Sequence, residues 1–309
     1  MTKSIAISDY GTADALRLTD TELPAPGPGQ VRVSVRASGV NPIDTKIRSG
    51  VMASIFPVEF PHTPGKEAAG VVESVGADVT GFSVGDEVFG PTATGSYAEL
   101  ALADAELLAL KPASLPWEVA AGLPVAAETA WRTLEFLHLK AGETLLVHGA
   151  AGGVGTLAIQ FARARGVRVV GTASAANHDY LRGLGAIPVA YGDGLADRVR
   201  AAAPEGVDAA LDAVGKGNAI AVSVELTGDA ERVVTIAAAP GAHARKVRFS
   251  GGGHDENRTR PALAAALALH EAGTLQLPIH RSYPLAEAAA AHRTSEHGHL
   301  TGKIVLTVG

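Results

Sequence analysis

The sequence predicts an α/β protein in two parts, a doubly wound parallel sheet and a mostly antiparallel β domain, and three observations carry the prediction. Over residues 4–123, short apolar stretches are closely punctuated by Gly and Pro, the pattern of a compact antiparallel domain. From about residue 125, strands alternate with helix-spaced segments, which implies a parallel sheet covered on both faces. The 309 residues are too many for one small core and suit about two domains.

Each element follows from its local pattern. ALRLTDTEL, QVRVSVRASGV with Val31, Val33 and Val35 alternating, EAAGVVESVGADV and GDEVFG read as the strands of the first part. In the second, Leu145, Leu146 and Val147 form a buried parallel strand, and Leu157, Ile159, Phe161 and Ala162 give the following segment an apolar helical face. Then come a strand in VRVVGTA, a helix over 176–184, a strand in IPVAY, a helix over 196–203, a strand in DAALDAV, and strands over 232–236 and 247–249. From Thr259 the tail offers a helix rich in Ala and Leu, the segment LQLPIHRSY, a helix over 285–292 and a final strand, KIVLTV. This tail is more like the first part than the second. The expected domains are therefore 1–124 with 260–309, and 125–259.

Between the strand at 145–147 and its helix lie Gly149, Ala150, Ala151, Gly152, Gly153, Val154 and Gly155. A strand before and a helix after are the setting in which a glycine cluster cradles a nucleotide phosphate. Glycines let backbone N–H groups approach a pyrophosphate, and the helix turns its positive end to the anion. The alternative is a tight strand-to-helix turn with no ligand.

Composition excludes several classes. Hydrophobic residues at 47% and charged residues at 19% describe a globular chain, not a disordered one. A net charge of −6 without a basic cluster gives no footprint for nucleic acid or for an anionic membrane surface. The N-terminal residues lack a signal-peptide core, and no apolar run reaches the roughly 20 residues that span a bilayer, so a cytoplasmic protein is expected. The absence of cysteine rules out disulfides, thiolate nucleophiles and cysteine-bound zinc.

The segments SGVNPIDTKIRSG, PGKEAAGVVESVG, GDEVFG, GSYAE, LPVAAETAW, HGAAGGVG and GKIVL, in this order and spacing, resemble the medium-chain dehydrogenase/reductase superfamily, and within it the zinc-free quinone oxidoreductase group of zeta-crystallin-like enzymes. The resemblance covers nearly the whole chain. It implies a split GroES-like β domain, a Rossmann domain, a nicotinamide cofactor, and a homodimer formed along the Rossmann sheet edges. Zinc-dependent alcohol dehydrogenases of the same superfamily need a cysteine near Asn41 and a histidine before the glutamate of Gly65-Lys66-Glu67. This chain has Asn and Lys there, so no metal is expected. His62 with Glu67, or His292, His297 and His299, could suggest a makeshift site, but solvated or core-capping histidines are favoured over metal ligands.

NAD-specific folds of this type place an acid about 20 residues beyond the glycine turn. Here the segment is GTASAANH, without an acid, and Ser174, Asn177 and His178 can donate hydrogen bonds to a 2′-phosphate, so NADPH is the expected cofactor. Relatives often carry a lysine near Asn177, which this chain lacks. The resemblance adds Tyr191 at the phosphate and ribose, Thr129 at the nicotinamide half, and Lys303 at phosphate or ribose. Asp212, Ala213 and Val214, and Ile236, Ala237 and Ala238, end strands where such sheets bind ligands, with packing as the alternative for Ala213, Val214 and Ile236.

For chemistry without a metal, the expected substrate is a quinone or an α,β-unsaturated carbonyl compound. The enoyl reductase of a biosynthetic pathway is the nearest alternative, and a non-catalytic NADPH-binding sensor the more distant one. Asn41 is the first candidate for a contact at the developing oxyanion or the cofactor, Lys46 the second, and Asp44 a third with an N-cap or turn role as its alternative. The tyrosines that relatives place at 46 or near 51 and 52 are absent, so water could supply the proton. The segment FSGGGHD at 249–255 departs from the apolar strand end and loop usual in the family and is expected to set substrate scope.

Overall fold

The computed structural model describes residues 1–253 and 257–309, so His254 and Asp255 of the glycine-rich segment lie outside the described residues. The chain divides by its contacts into a unit made of Met1–Val125 with Leu277–Gly309 and a second unit, Ala126–Gln276.

The first unit opens with β1 (Thr2–Ala6), β2 (Arg17–Thr21) and β3 (Gln30–Val40), followed by α1 (Pro42–Arg48), β4 (Glu67–Val75), β5 (Glu87–Pro91), β6 (Leu100–Asp104), β7 (Ala109–Leu110) and α2 (Trp117–Gly122). The second runs through α3 (Pro124–Phe136), β8 (Thr144–His148), α4 (Gly153–Ala164), β9 (Arg168–Ala173), α5 (His178–Gly183), β10 (Ile187–Ala190), α6 (Leu195–Ala202) and β11 (Ala209–Asp212). It continues with α7 (Ala219–Thr227), β12 (Val233–Thr235), α8 (Ala239–Arg245), β13 (Arg248–Phe249) and α9 (Thr259–Glu271). The chain then returns to the first unit with β14 (Ile279–Pro284), α10 (Ala288–His297) and β15 (Lys303–Thr307).

In the first unit β14, β15, β3, β4, β5 and β7 pair in that order, with β6 also on β3. All of these pairings are antiparallel except β14 with β15. The alternating Val31, Val33 and Val35 of β3 are buried, as their period of two requires. Val31 and Val33 pack with Val72 and Val88, whereas Val35 joins Ile5, Ile304 and Leu306 in a neighbouring cluster.

The second unit is a six-stranded parallel sheet in the order β10-β9-β8-β11-β12-β13. The order reverses beside β8, the switch point at which sheets of this kind bind ligands. β8 is fully buried, so its run of apolar residues needs no alternation. The return to the first unit comes at Leu277 rather than at residue 260, and α9 therefore belongs with the parallel sheet. Its Ala and Leu content fits any buried helix and could not assign it to either unit. Among the described residues no helix is long and apolar enough to cross a membrane.

Candidate active and cofactor site

The residues expected to act fall into two sets, one in each unit. In the first unit the sheet register creates the local arrangement. Ile304 lies opposite Val40, and Ala68 opposite Ser38, so Lys303, Asn41 and Glu67 emerge at neighbouring strand ends. The Lys303 ammonium donates to Asn41 Oδ1 at 2.6 Å and to Glu67 Oε1 at 2.8 Å. Asn41 Nδ2 donates to the same Glu67 oxygen at 2.8 Å, and the Val125 N–H to Oε2 at 2.7 Å. Gly39 makes room for this carboxylate, since a Cβ there would stand 2.1 Å from Oε1.

Asn41 also caps α1. Its backbone N–H donates to Asp44 Oδ2 at 2.9 Å, the return half of a capping box. The same oxygen accepts from the Tyr97 hydroxyl at 3.1 Å, and Tyr97 Oη stands 3.1 Å from His292 Nε2. With the phenol proton directed at Asp44, Nε2 is the donor of a neutral imidazole. Burial pushes the Asp44 carboxyl up to about 6, against the Asn41 hydrogen bond that lowers it and with further help from Glu67. Burial also raises the Tyr97 hydroxyl well above its usual range, and burial with the neighbouring Arg48 charge lowers His292 to about 3.

These contacts bear on three expectations. Asn41 was expected to offer its amide to substrate or cofactor, but both ends of that amide are bonded internally. Asp44 is 1% exposed and has no surface with which to meet a substrate. Lys303 was expected at phosphate or ribose, but its ammonium is buried on Glu67 and Asn41. Lys46, half-buried in the last turn of α1, is the one of the three catalytic candidates whose charge is not locked into this network. His292 is a core residue. Among the described residues no three His, Asp or Glu side chains are grouped to hold a metal.

The second unit holds the glycine turn. Gly149 leaves β8 at φ +73°, a left-handed conformation that side chains disfavour, and a Cβ there would lie 2.7 Å from Val214. Ala150 and Ala151 are buried, and the Ala150 N–H donates to Thr172 O at 3.1 Å. Gly152 is the N-cap of α4 and contributes no side-chain cap, so the N–H groups of Gly153, Val154 and Gly155 form an open helix end. Gly155 permits the close packing of this end, because a Cβ would come within 2.3 Å of Gly149 O. Inside the strand end, His148 stands 3.3 Å from Thr172 Oγ1 and 3.0 Å from Ser223 Oγ, and burial lowers it to about 4.

β9 pairs with β8 and with β10, so the acid-free loop adjoins the glycine turn on one side and Tyr191 on the other. Ser174 precedes a short 3₁₀ turn, the Asn177 N–H donates to Ser174 O at 2.9 Å, and Nδ2 lies 3.4 Å from Ser174 Oγ. Among the described residues His178 Nε2 is buried without a hydrogen-bond partner. Tyr191 is 52% exposed at the end of β10.

Asp212, by contrast, is spent on its own turn. Oδ1 accepts from the Val214 and Gly215 N–H groups at 2.9 and 3.0 Å, and Oδ2 from Thr235 Oγ1 at 2.8 Å. Asp212 was expected beside the cofactor at this strand end, where its carboxylate is engaged in these bonds. Ala213 is tied to His148 O, and Ile236 to Asp212 O. A recess of about 470 Å³ beyond β11 and β12 brings Asp212, Ala237 and Ala238 together with Lys216, Asn218 and Arg245. Val214 is exposed and Ile236 half-buried beside these strand ends, and Thr129 is buried on α3.

Sequence reasoning passed over Tyr97 and Arg48 of the first network, and Arg198 and Tyr180 in the second unit, whose hydroxyl meets Thr156 Oγ1 at 3.0 Å. Glu67 was weighed only as a metal ligand. Its signal was available, since Glu67 and Lys303 are opposite charges each opening a strand whose next residues are apolar, Ala68 and Ala69 in one and Ile304, Val305 and Leu306 in the other.

Family models match in two places, the alcohol dehydrogenase GroES-like domain over residues 27–113 and the zinc-binding dehydrogenase over 184–306. The quinone oxidoreductase of Mus musculus is 33% identical over 98% of this chain and 97% of its own length. The chain belongs to the zinc-free quinone oxidoreductase group of the medium-chain dehydrogenase/reductase superfamily. The alignment with the quinone oxidoreductase of Pongo abelii, 42% identical, spans about half of each chain, 55% of this one and 52% of that one. Polyketide synthase GfsB of Streptomyces halstedii is 39% identical over 98% of this chain, which corresponds to only 6% of the synthase. Among solved structures, the quinone oxidoreductase of Coxiella burnetii has a TM-score of 0.86 at 30% identity, covering 100% of this chain and 99% of its own. A mycobacterial protein complexed with NADPH has 0.83 at 31% identity, covering 99% and 100%.

Proposed function

We propose that this chain is an NADPH-dependent oxidoreductase that reduces quinones or α,β-unsaturated carbonyl compounds without zinc. The observation that carries the reading is the acid-free loop of Ser174, Asn177 and His178 at the end of β9, directly beside the glycine turn. A carboxylate there would repel a 2′-phosphate, whereas these side chains can donate to it. The open N-terminus of α4, drawn close to the turn by the packing that Gly155 permits, and His178 Nε2, unpartnered among the described residues, fit a phosphorylated dinucleotide. The mycobacterial relative complexed with NADPH supports the same cofactor.

Residues 149–155 would hold the pyrophosphate, Ser174, Asn177, His178 and Tyr191 the adenosine end, and Ala213, Val214, Ile236, Ala237 and Ala238 would border the nicotinamide half with Thr129. When bound, the nicotinamide supplies the hydride. What the chain must add is positioning and stabilisation of negative charge on the acceptor oxygen. Lys46 is the cation assigned to that oxygen, and solvent supplies the proton in the absence of a tyrosine. A quinone and an enone share the needed polarised double bond. The resemblance further supports a cytoplasmic homodimer, in which β13, one of the two edges of the parallel sheet, with Phe249 39% exposed, would pair two copies.

A second reading, enoyl reduction in a biosynthetic pathway, is supported by the full-chain likeness to a segment of a polyketide synthase. Titration with NADPH and NADH, followed by a panel of quinones, enones and enoyl thioesters, separates the possibilities. Turnover with NADH equal to or above that with NADPH would refute the cofactor assignment. Binding of NADPH without oxidation by any acceptor would refute the reductase reading in favour of a sensor.

A further inference from the structure

Parallel strands β9 and β10 end in register, with Ala190 opposite Ala173. Ser174 and Tyr191 are therefore the first residues to leave the sheet, side by side. The four residues from Tyr191 to Gly194 are all exposed, and Gly192 and Gly194 sit at φ +98° and +72°. Such a segment would have no fixed course on its own account.

One side chain fixes it. Arg198, on α6, donates through Nε to Ala190 O at 3.0 Å, through Nη2 to Tyr191 O at 3.3 Å and Gly192 O at 3.2 Å, and through Nη1 to Asp193 O at 2.6 Å. Four consecutive carbonyls converge on a single rigid fork, a pattern that an ammonium with its point charge cannot reproduce. Among the described residues no carboxylate is paired with Arg198, so its commitment is to this backbone alone.

We infer that Arg198 is a positioning residue for the adenosine end of the cofactor, holding Tyr191 beside Ser174 by clamping the backbone that carries it. The inference rests on the NADPH reading above. It also offers a way for a loop without the lysine usual near Asn177 to hold a 2′-phosphate: the backbone that carries Tyr191 is already fixed, so that part of the ordering cost is met before binding.

The test is calorimetric titration of NADPH and 2′,5′-ADP into wild type, Arg198→Lys, Arg198→Met, Tyr191→Ala and the Arg198→Met/Tyr191→Ala double variant. Both Arg198 variants should weaken both ligands about tenfold, with kcat at saturating NADPH within about twofold of wild type. In the Tyr191→Ala background the Arg198→Met effect should fall below about twofold, because the two residues act as one. Full additivity, or wild-type affinity in Arg198→Lys, would overturn the inference, the latter by showing that charge alone suffices. If Arg198→Met does not fold, Arg198→Lys, which retains charge and helix propensity, decides the matter alone. Failure of the wild type to bind NADPH would instead bring down the parent reading.

Discussion

Replacing Lys303 by Met tests whether the buried ammonium serves the fold or the cofactor. Met keeps most of the apolar stem and removes the charge. Glu67, fully buried, would keep its bonds from Asn41 Nδ2 and the Val125 N–H but lose Lys303, its cationic partner among the described residues. Asn41 Oδ1 would lose its 2.6 Å donor as well. Removing one member of a buried pair costs about 3–5 kcal/mol, chiefly because the remaining charge stays desolvated. In a unit of roughly 150 residues each kcal/mol lowers the midpoint by about 2–4 °C, so the first unit should melt on the order of 10 °C lower. Calorimetry of wild type and variant at pH 7 measures this. The Glu67→Gln/Lys303→Met double variant should recover much of the loss, since the Gln oxygen can accept from the Val125 N–H and its NH2 can donate to Asn41 Oδ1 once the Asn41 amide turns over, with no buried charge left. A variant as stable as wild type that loses only NADPH affinity would refute the reasoning and restore the phosphate contact first expected for Lys303.

Asp44→Asn should abolish a specific pH dependence. The folded carboxyl titrates at about 6 against 3.8 for an ordinary one. Between those values the native state binds the extra proton, so this group favours folding at low pH and its contribution is lost as pH rises from about 4 through 6, by about 3 kcal/mol. Urea unfolding of wild type and Asp44→Asn at pH 4, 5, 6 and 7 should show that difference, and parallel curves would contradict it. His148 has the opposite sign: held at about 4 against 6.5, it stabilises above pH 6.5 and that contribution disappears as pH falls through 4. Replacing it by Gln should flatten the acid limb of the stability profile. Gly155→Ala places a Cβ 2.3 Å from Gly149 O and should reduce NADPH affinity at least about tenfold by displacing the start of α4, while the spacious Gly183 accepts Ala with no effect on binding. Bulkier residues at Gly251 and Gly253 should alter rates for large and small acceptors by different factors; equal factors would dissociate this segment from substrate scope.

The parallel sheet was legible because each of its strands is bounded by residues with their own physical reason to be there. Leu145 to Val147 could only be a buried strand, and Gly149 and Gly155 occupy the two places where a side chain would be strained or would collide. The boundary at Leu277 was not legible, because periodicity reports that a helix is buried without reporting against what. For the same reason α7 and α8 left no clear mark: α7 is apolar nearly all round, so its sequence carries almost no amphipathic signal.

The candidate site was legible as a neighbourhood, but the side-chain contacts within it were not. Asn41, Asp44 and Lys303 were singled out as polar residues in motifs, and polar residues in motifs were assumed to face a ligand. Strand register, which no local pattern discloses, turns two of them toward Glu67 and the third toward Tyr97. Their chemistry is consequently directed inward: a buried ion pair joins β15 to β4, and a protonatable carboxyl holds the first turn of α1. That arrangement gives the polar residues of the motif a physical purpose without a metal. The pair of Lys303 and Glu67, with Asn41, cross-links this corner of the β domain by charge and hydrogen bonds, and under the function proposed above Lys46 of the same motif would be the cation offered to the acceptor oxygen.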